Sequence, residues 1–284
     1  MACAVGASVL LIILSCSSLL AQVGPAQGQP SEPSPQEQAW GILHDGLTDN
    51  RATKRAEAVQ SLSLLTGDRR AANFGLRALH DSDAHVRSAA ATTLGQLHAR
   101  NAIPALKQAL SDKEVSVVLA ASYSLFLLKD PSAYGIYYAI LMGDKKASEG
   151  LVQAQLNRLK DPKQMAELGF QEGMGFVPFG GMGVEAYRAI SKKDSAPVRA
   201  AAARILSVDP DPVSEDALIQ AALADKNAIV RQAALDALAQ RGDPKCIERL
   251  LKNLSDSNDA VRYRTAAAIL RLSSTTNKPA HPPK

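Results

Sequence analysis

The stretch Asp225-Lys-Asn-Ala-Ile-Val-Arg-Gln-Ala-Ala-Leu-Asp-Ala-Leu, residues 225–238, decides the fold. In it a Val-Arg pair stands at the start of an Ala-rich helix. The arrangement recurs along the chain, and its last three copies are spaced by 32 and 31 residues. A period of about 31 residues predicts helical hairpins that bury their apolar faces by stacking on one another. The four copies of the pair are Val86-Arg87, Val198-Arg199, Val230-Arg231 and Val261-Arg262.

A second feature of the repeat is an Asp placed six residues before the Arg, in the turn between the two helices of a hairpin. It precedes Arg87, Arg231 and Arg262, and Asp49 has the same spacing from Arg55. We expect the turn Asp to cap the second helix, and Asp/Arg pairs at a fixed phase to link one turn to the next. The predicted ladder consists of Asp49, Arg55, Asp81, Arg87, Arg199, Asp225, Arg231, Asp256 and Arg262.

The composition favours helices packed on helices. Hydrophobic residues make up 46% of the 284 residues, enough for a large core, while aromatic residues make up only 4%. Ala and Leu predominate, so the core must consist of small and aliphatic side chains at close distance. The 32 basic and 28 acidic residues are intermixed along the chain, and no basic block indicates a nucleic-acid surface.

The pattern resembles HEAT repeats, in particular the short Ala-rich form found in the HEAT-like repeats of phycobilisome lyases. The resemblance covers residues 38–273 and implies an all-α, right-handed α-solenoid of about seven stacked helical hairpins, with the second helices lining its concave surface. It implies little about function, because such solenoids serve many tasks. The turn Asp and second-helix Arg of that family match Asp49/Arg55, Asp81/Arg87, Asp225/Arg231 and Asp256/Arg262.

The repeat fails in the middle of the chain. Val118 and Gly150 occupy the Arg position of the third and fourth hairpins, and the fifth hairpin is too long because of a Gly- and Phe-rich insertion at about 167–184. Nine of the chain's twelve aromatic residues fall between positions 123 and 187. We predict that these nine contact a partner: Tyr123, Phe126, Tyr134, Tyr137, Tyr138, Phe170, Phe176, Phe179 and Tyr187.

The insertion has three interpretations that the sequence leaves open: a plug packed on the protein's own groove, a hydrophobic contact site for a protein or lipid partner, or a floppy loop. A phosphate-binding loop is disfavoured, because the insertion contains no Lys and follows no strand. The helix predicted over 117–128 is strongly polar only at Ser122 and Ser124, so it should be buried on nearly all sides. We expect the insertion or a partner to cover it.

The N-terminus resembles a secretion signal, since residues 4–21 are almost wholly apolar or small. Cleavage after Ala21 or after Ala26 fits the small residues there, which gives a signal peptide within 1–26. No Lys or Arg precedes the apolar run, and residues 13–16 resemble a bacterial lipobox, so a lipid anchor on Cys16 and an uncleaved anchor also stay open. The linker at 27–37 and the tail at 274–284 are expected to be disordered.

No constellation of residues indicates catalysis, a cofactor or a metal site. Cys246 is the only cysteine after the signal, and its spacing from Leu250 predicts a buried free thiol on the apolar face of a helix. His80 and His85 flank acidic residues, but a spacing of five does not place both imidazoles on one helix face.

The sequence therefore predicts a non-catalytic scaffold or adaptor, periplasmic or extracellular, that binds a protein partner through a central aromatic and apolar surface. Neither nucleic acid nor a small-molecule substrate is expected. One alternative is a membrane-attached adaptor, held by a lipid on Cys16 or by Phe176 and Phe179 of the insertion. A more remote alternative is a lyase-like enzyme, which only the resemblance suggests.

Overall fold

The computed structural model describes residues 33–141 and 196–276. Over these residues the chain forms α-helices and short 3-10 helices and no strand, so the predicted all-α class is confirmed. The α-helices are α1 (Pro35–Leu47), α2 (Ala52–Ser61), α3 (Arg69–Ala78), α4 (Ala84–Gln96), α5 (Ile103–Ala109), α6 (Val115–Leu127), α7 (Ala133–Leu141), α8 (Ala196–Leu206), α9 (Pro212–Ala224), α10 (Ala228–Arg241), α11 (Ile247–Leu250) and α12 (Asp259–Thr276).

The helices pair into hairpins whose second helices form a continuous layer. In α1/α2, α3/α4, α5/α6, α9/α10 and α11/α12 the first helix packs on the second. The second helices also pack side by side, α2 on α4, α4 on α6, α8 on α10 and α10 on α12. Ala90, Ala91, Ala234 and Ala268 in this layer are fully buried. Because their side chains are a single carbon, neighbouring helix axes can approach closely.

The helical region extends beyond its predicted bounds at both ends. α1 begins inside the predicted linker, since Ser34 and Glu37 form a capping box in which the Ser34 amide donates to Glu37 Oε2 at 2.8 Å. The prediction of disorder is therefore wrong for residues 35–37. It is also wrong for 274–276, where α12 continues and Thr275 Oγ1 donates to the Gly242 carbonyl oxygen at 3.1 Å.

Each turn Asp lies two positions before the N-cap residue of the second helix and accepts a hydrogen bond from the amide of that residue. Asp81 Oδ1 accepts from the amide of Asp83 at 2.9 Å, and Asp83 in turn caps α4 by accepting from the amide of His85. Asp225 and Asn227 repeat this arrangement in front of α10. The prediction that the turn Asp itself caps the second helix is wrong; it orders the turn, and its carboxylate also receives an Arg.

The C-terminal hairpin packs on the N-terminal hairpin. We call this contact the terminal joint. There α12 contacts both α1 and α2. Gly46 of α1 lies against the buried ring of Tyr263, so closely that a Cβ would overlap a ring carbon. The order of packing in the second-helix layer is therefore α8, α10, α12, α2, α4, α6, which is not the order in the chain.

Candidate functional site

The predicted aromatic surface is partly contained in the described residues. Tyr123 and Phe126 lie on α6, and Tyr134, Tyr137 and Tyr138 lie on α7. We call these five residues the α6–α7 cluster. The Gly- and Phe-rich insertion lies outside the described residues, together with the remaining predicted aromatics Phe170, Phe176, Phe179 and Tyr187.

Three rings of the α6–α7 cluster form a chain of contacts. The centroid of the Phe126 ring lies 6.4 Å from that of Tyr123, nearly parallel to it, and 6.4 Å from that of Tyr134, at 88° to it. Both distances fall in the range of favourable aromatic pairs. Burial, together with the neighbouring Tyr123, raises the pKa of the half-buried Tyr137 phenol. Ring contacts thus join α6 to α7, and Tyr138 lies one helical turn from Tyr134 on α7.

Much of this surface is exposed. Phe126, Tyr134 and Tyr138 are 48%, 54% and 68% exposed. Contiguous apolar side chains left in water are typical of contact surfaces. The other large hydrophobic side chains that are exposed in the described part of the chain lie at the opposite end of the second-helix layer, on and beside α8: Ile205, Val208 and Val213.

The apolar helix α6 is buried or half-buried along its length, and Phe126 is its one exposed residue. It packs on α4, α5 and α7, and its two polar side chains are buried with partners: Ser124 Oγ donates to the Ala91 carbonyl oxygen at 2.7 Å and Ser122 Oγ to that of Val118 at 2.9 Å. The prediction that this helix is buried on nearly all sides is confirmed except at Phe126, which belongs to the α6–α7 cluster.

The ladder arginines reach forward to the turn of the next hairpin. Arg55 Nε and Nη2 each donate to the Asp81 carboxylate at 2.8 Å, while Nη1 donates to the carbonyl oxygen of Asp49 in its own turn at 2.9 Å. The guanidinium group holds the pKa of Asp81 below its usual range. Pairs of this kind join Arg55 to Asp81, Arg87 to Asp112, Arg199 to Asp225, and Arg231 to Asp256.

Asp112 is a ladder residue that the sequence analysis missed. Arg87 donates to both of its carboxylate oxygens, at 2.8 and 2.9 Å. The third hairpin has Val118 where an Arg was expected, so a search anchored on Arg passed over the Asp six residues earlier. The signal that could have found it is its spacing of 31 residues from Asp81.

The ladder stops at the terminal joint. Arg262 contacts the Asp256 carbonyl oxygen and the carboxylate of Asp259 in its own helix. Asp49, which holds the turn position on the other side of the joint, accepts from Arg51 Nε at 3.1 Å. These ladder residues stabilise the stack and lie apart from the α6–α7 cluster.

Other reactive groups in the described residues have ordinary roles. Cys246 is a buried free thiol, and burial together with Glu215 raises its pKa to about 12, so it is protonated at neutral pH. Within 33–141 and 196–276 no three His, Cys, Asp or Glu side chains converge as a metal site would require. In the same residues no helix combines the length and the apolar character that a bilayer span needs.

The sequence matches the family model for HEAT repeats in two regions, residues 42–125 and 185–271. Together these regions cover more than half of the chain. The chain belongs to the HEAT-repeat family, and the resemblance noted in its sequence is confirmed.

Several solved structures are similar to the chain at low identity. Human deoxyhypusine hydroxylase in complex with glycerol is 20% identical over 84% of this chain and 97% of its own, with a TM-score of 0.34. The complex of CpcE and CpcF of phycocyanin lyase from Nostoc sp. PCC7120 is 20% identical over 88% of this chain and 98% of its own, with a TM-score of 0.30. A comparison with curated proteins gave no match.

Proposed function

We propose that this HEAT-repeat chain is a non-catalytic scaffold that binds a protein partner through the α6–α7 cluster. The observation that carries the proposal is the exposure of Phe126 and Tyr134 as contacting rings, with the exposed Tyr138 one turn further along α7. Aromatic side chains are enriched where protein partners contact each other, because a large rigid ring gains much apolar contact for little lost entropy. The tyrosine hydroxyl groups can also form hydrogen bonds with the partner's backbone at the rim of the contact.

The proposal includes export to the periplasm or the extracellular space. Its support is the apolar stretch at 4–21, followed by small residues at two candidate cleavage positions. A scaffold outside the cytoplasm is also compatible with the cysteine content, since the proposed mature chain has one thiol and needs no disulfide.

Crosslinking in the native envelope tests the proposed surface. The photoreactive amino acid benzoylphenylalanine would replace Tyr138, which is 68% exposed. A second protein would carry it at the exposed Gln240 of α10, away from the cluster. We expect a discrete crosslinked product from position 138 that is absent from position 240. Equal products from both positions, or none from 138, would contradict the proposal.

Affinity for the protein identified in this way gives the second readout. The triple variant Phe126→Ala/Tyr134→Ala/Tyr138→Ala should weaken binding at least about tenfold, since each ring truncated at the centre of a contact costs on the order of 1 kcal/mol or more. Its matched control removes three other exposed apolar side chains, Ile205→Ala/Val208→Ala/Val213→Ala. The control should change the affinity less than about twofold.

A further inference from the structure

The outer face of α1 and α3 carries arginines stacked on aromatic rings. The guanidinium carbon of Arg70 lies 4.1 Å from the centroid of the Trp40 ring, and that of Arg77 lies 4.3 Å from the centroid of Phe74. The two rings are themselves stacked, with centroids 6.1 Å apart. The surface therefore alternates cations and rings along the first two hairpins, far in sequence from the α6–α7 cluster.

These arginines differ from those of the ladder in what they bind. Arg55 and Arg87 form ion pairs with carboxylates of the next turn. Arg70 and Arg77 form no ion pair with any carboxylate among the described residues, and both side chains are exposed. An arginine packed on an aromatic ring has part of its side-chain freedom removed in advance. Its N–H donors stay available for a carboxylate that approaches from solvent.

A shallow pocket adjoins Arg70 between the two helices. Gly41 opens it, since a Cβ at this position would meet no atom within 4 Å. Glu37 stands at its rim, and hydrogen bonds from Ser34 lower the pKa of Glu37, so it is ionised at neutral pH. A fixed negative charge here repels a phosphate backbone, which is charged at every unit, more strongly than a segment with two carboxylates. The pocket is lined by Gln36, Glu37, Trp40, Gly41, His44 and Arg70.

The spacing of the two cations defines the geometry of a ligand. Arg70 and Arg77 are seven residues, about two turns, apart on α3 and so lie on one face. Their guanidinium carbons lie 6.0 and 4.3 Å from the centroid of the Phe74 ring, so the two cations are no more than about 10 Å apart. In a polyproline II segment, residues three apart share a face and are separated by about 9.3 Å. Two carboxylates at that spacing would each meet one guanidinium group.

We propose that the α1–α3 surface binds an extended acidic peptide of the form Glu-x-x-Glu, with one carboxylate on Arg70 and the other on Arg77. The intervening residues span the gap between the two guanidinium groups, and prolines there keep the segment extended. This site is distinct from the α6–α7 cluster and does not depend on the function proposed for it.

Fluorescence anisotropy with a labelled Gly-Glu-Pro-Pro-Glu-Gly peptide tests the proposal on the full chain. Arg70→Gln and Arg77→Gln should each weaken binding about tenfold, because each removes one charge-assisted bidentate contact. Gly41→Leu keeps every charge and favours the helix, but it fills the pocket, and it should weaken binding several-fold. Arg69→Gln is the matched control, since Arg69 is exposed on the same helix and stacks on no ring in the described residues; it should change the affinity less than about twofold.

Peptide variants complete the test. Replacing both glutamates by Gln should abolish binding, and moving them to adjacent positions should weaken it about tenfold. Equal binding of the Gln peptide, or an equal loss with Arg69→Gln and Arg70→Gln, would overturn the proposal. Tighter binding of single-stranded oligonucleotide or heparin than of the peptide, lost in Arg70→Gln, would overturn it too, because the surface would then be a polyanion site.

Discussion

Consecutive hairpins and the terminal joint hold the same kind of helix layer together in different ways. Between consecutive hairpins an Arg donates two hydrogen bonds to the Asp in the turn of the next hairpin, as Arg87 does to Asp112. At the terminal joint no such pair forms. There Gly46 lies against Tyr263, Lys54 Nζ lies 2.9 Å from the Asp259 carboxylate, and Arg264 donates to the Gln60 carbonyl oxygen at 3.1 Å.

The difference teaches what chain connectivity contributes. The ladder partners are 25 or 26 residues apart, because one hairpin of constant length returns the chain beside the preceding Arg. The partners at the terminal joint are about two hundred residues apart, as with Arg264 and Gln60. No repeat length sets their register, so close packing of small and large side chains must do so.

Removing a ladder arginine should have the largest effect. Arg87→Met leaves Asp112 and a turn carbonyl without their donor in a mostly buried place, and we expect a loss of about 3 kcal/mol in the free energy of unfolding. Urea unfolding followed by circular dichroism measures it. The control Arg51→Met removes an exposed pair with Asp49 and should leave the urea midpoint nearly unchanged. Similar losses in the two variants would show that the ladder does not stabilise the stack.

Adding one methyl group at Gly46 should disrupt the terminal joint. Gly46→Ala forces a Cβ against the Tyr263 ring and should cost about 2 kcal/mol, despite the better helix propensity of Ala. Gly41→Ala lies on the same helix with open space around it and should stabilise by up to about 1 kcal/mol. A stability gain for Gly46→Ala would mean that α12 does not pack on α1 in solution.

Acid should weaken the ladder more than the terminal joint. The Arg87 guanidinium lowers the pKa of Asp112 from its ordinary value of 3.8. The stabilisation is therefore complete above the unfolded-state pKa and is lost as pH falls through the lower folded-state pKa. Unfolding free energies of the wild type and of Asp112→Asn, compared between pH 5 and pH 2, should converge as the pH falls. Parallel curves would contradict this assignment.

The smallest effect is expected from the ion pair of the terminal joint. Lys54→Ala removes the contact with Asp259 and should cost under about 1 kcal/mol. Alkylation of Cys246, in a chain with Cys3→Ser and Cys16→Ser, reports opening of the C-terminal hairpin because the folded thiol is buried and protonated. We expect the rate to rise about two- to fivefold. An unchanged rate would indicate that the other contacts of the joint hold it without this ion pair.

Local patterns carried much of the fold. The anchors from Val86-Arg87 to Val261-Arg262 predicted the hairpins and their family, since a repeat shows itself at a fixed spacing. The capping box formed by Ser34 and Glu37 could have predicted the start of α1 from the sequence. The Pro- and Gln-rich composition around these residues favoured a disordered linker instead. The aromatic crowding between 123 and 187 located the candidate surface before any packing was known.

By itself, then, the sequence determined an all-α repeat protein of the HEAT family, with an aromatic region where the period fails. Only the tertiary structure decided that α12 packs on α1, that Asp112 receives Arg87, and that Phe126 is exposed although its helix is apolar. The physical reason is that helix periodicity and turn spacing are local, while contacts across about two hundred residues depend on how small differences in hairpin packing add up along the stack.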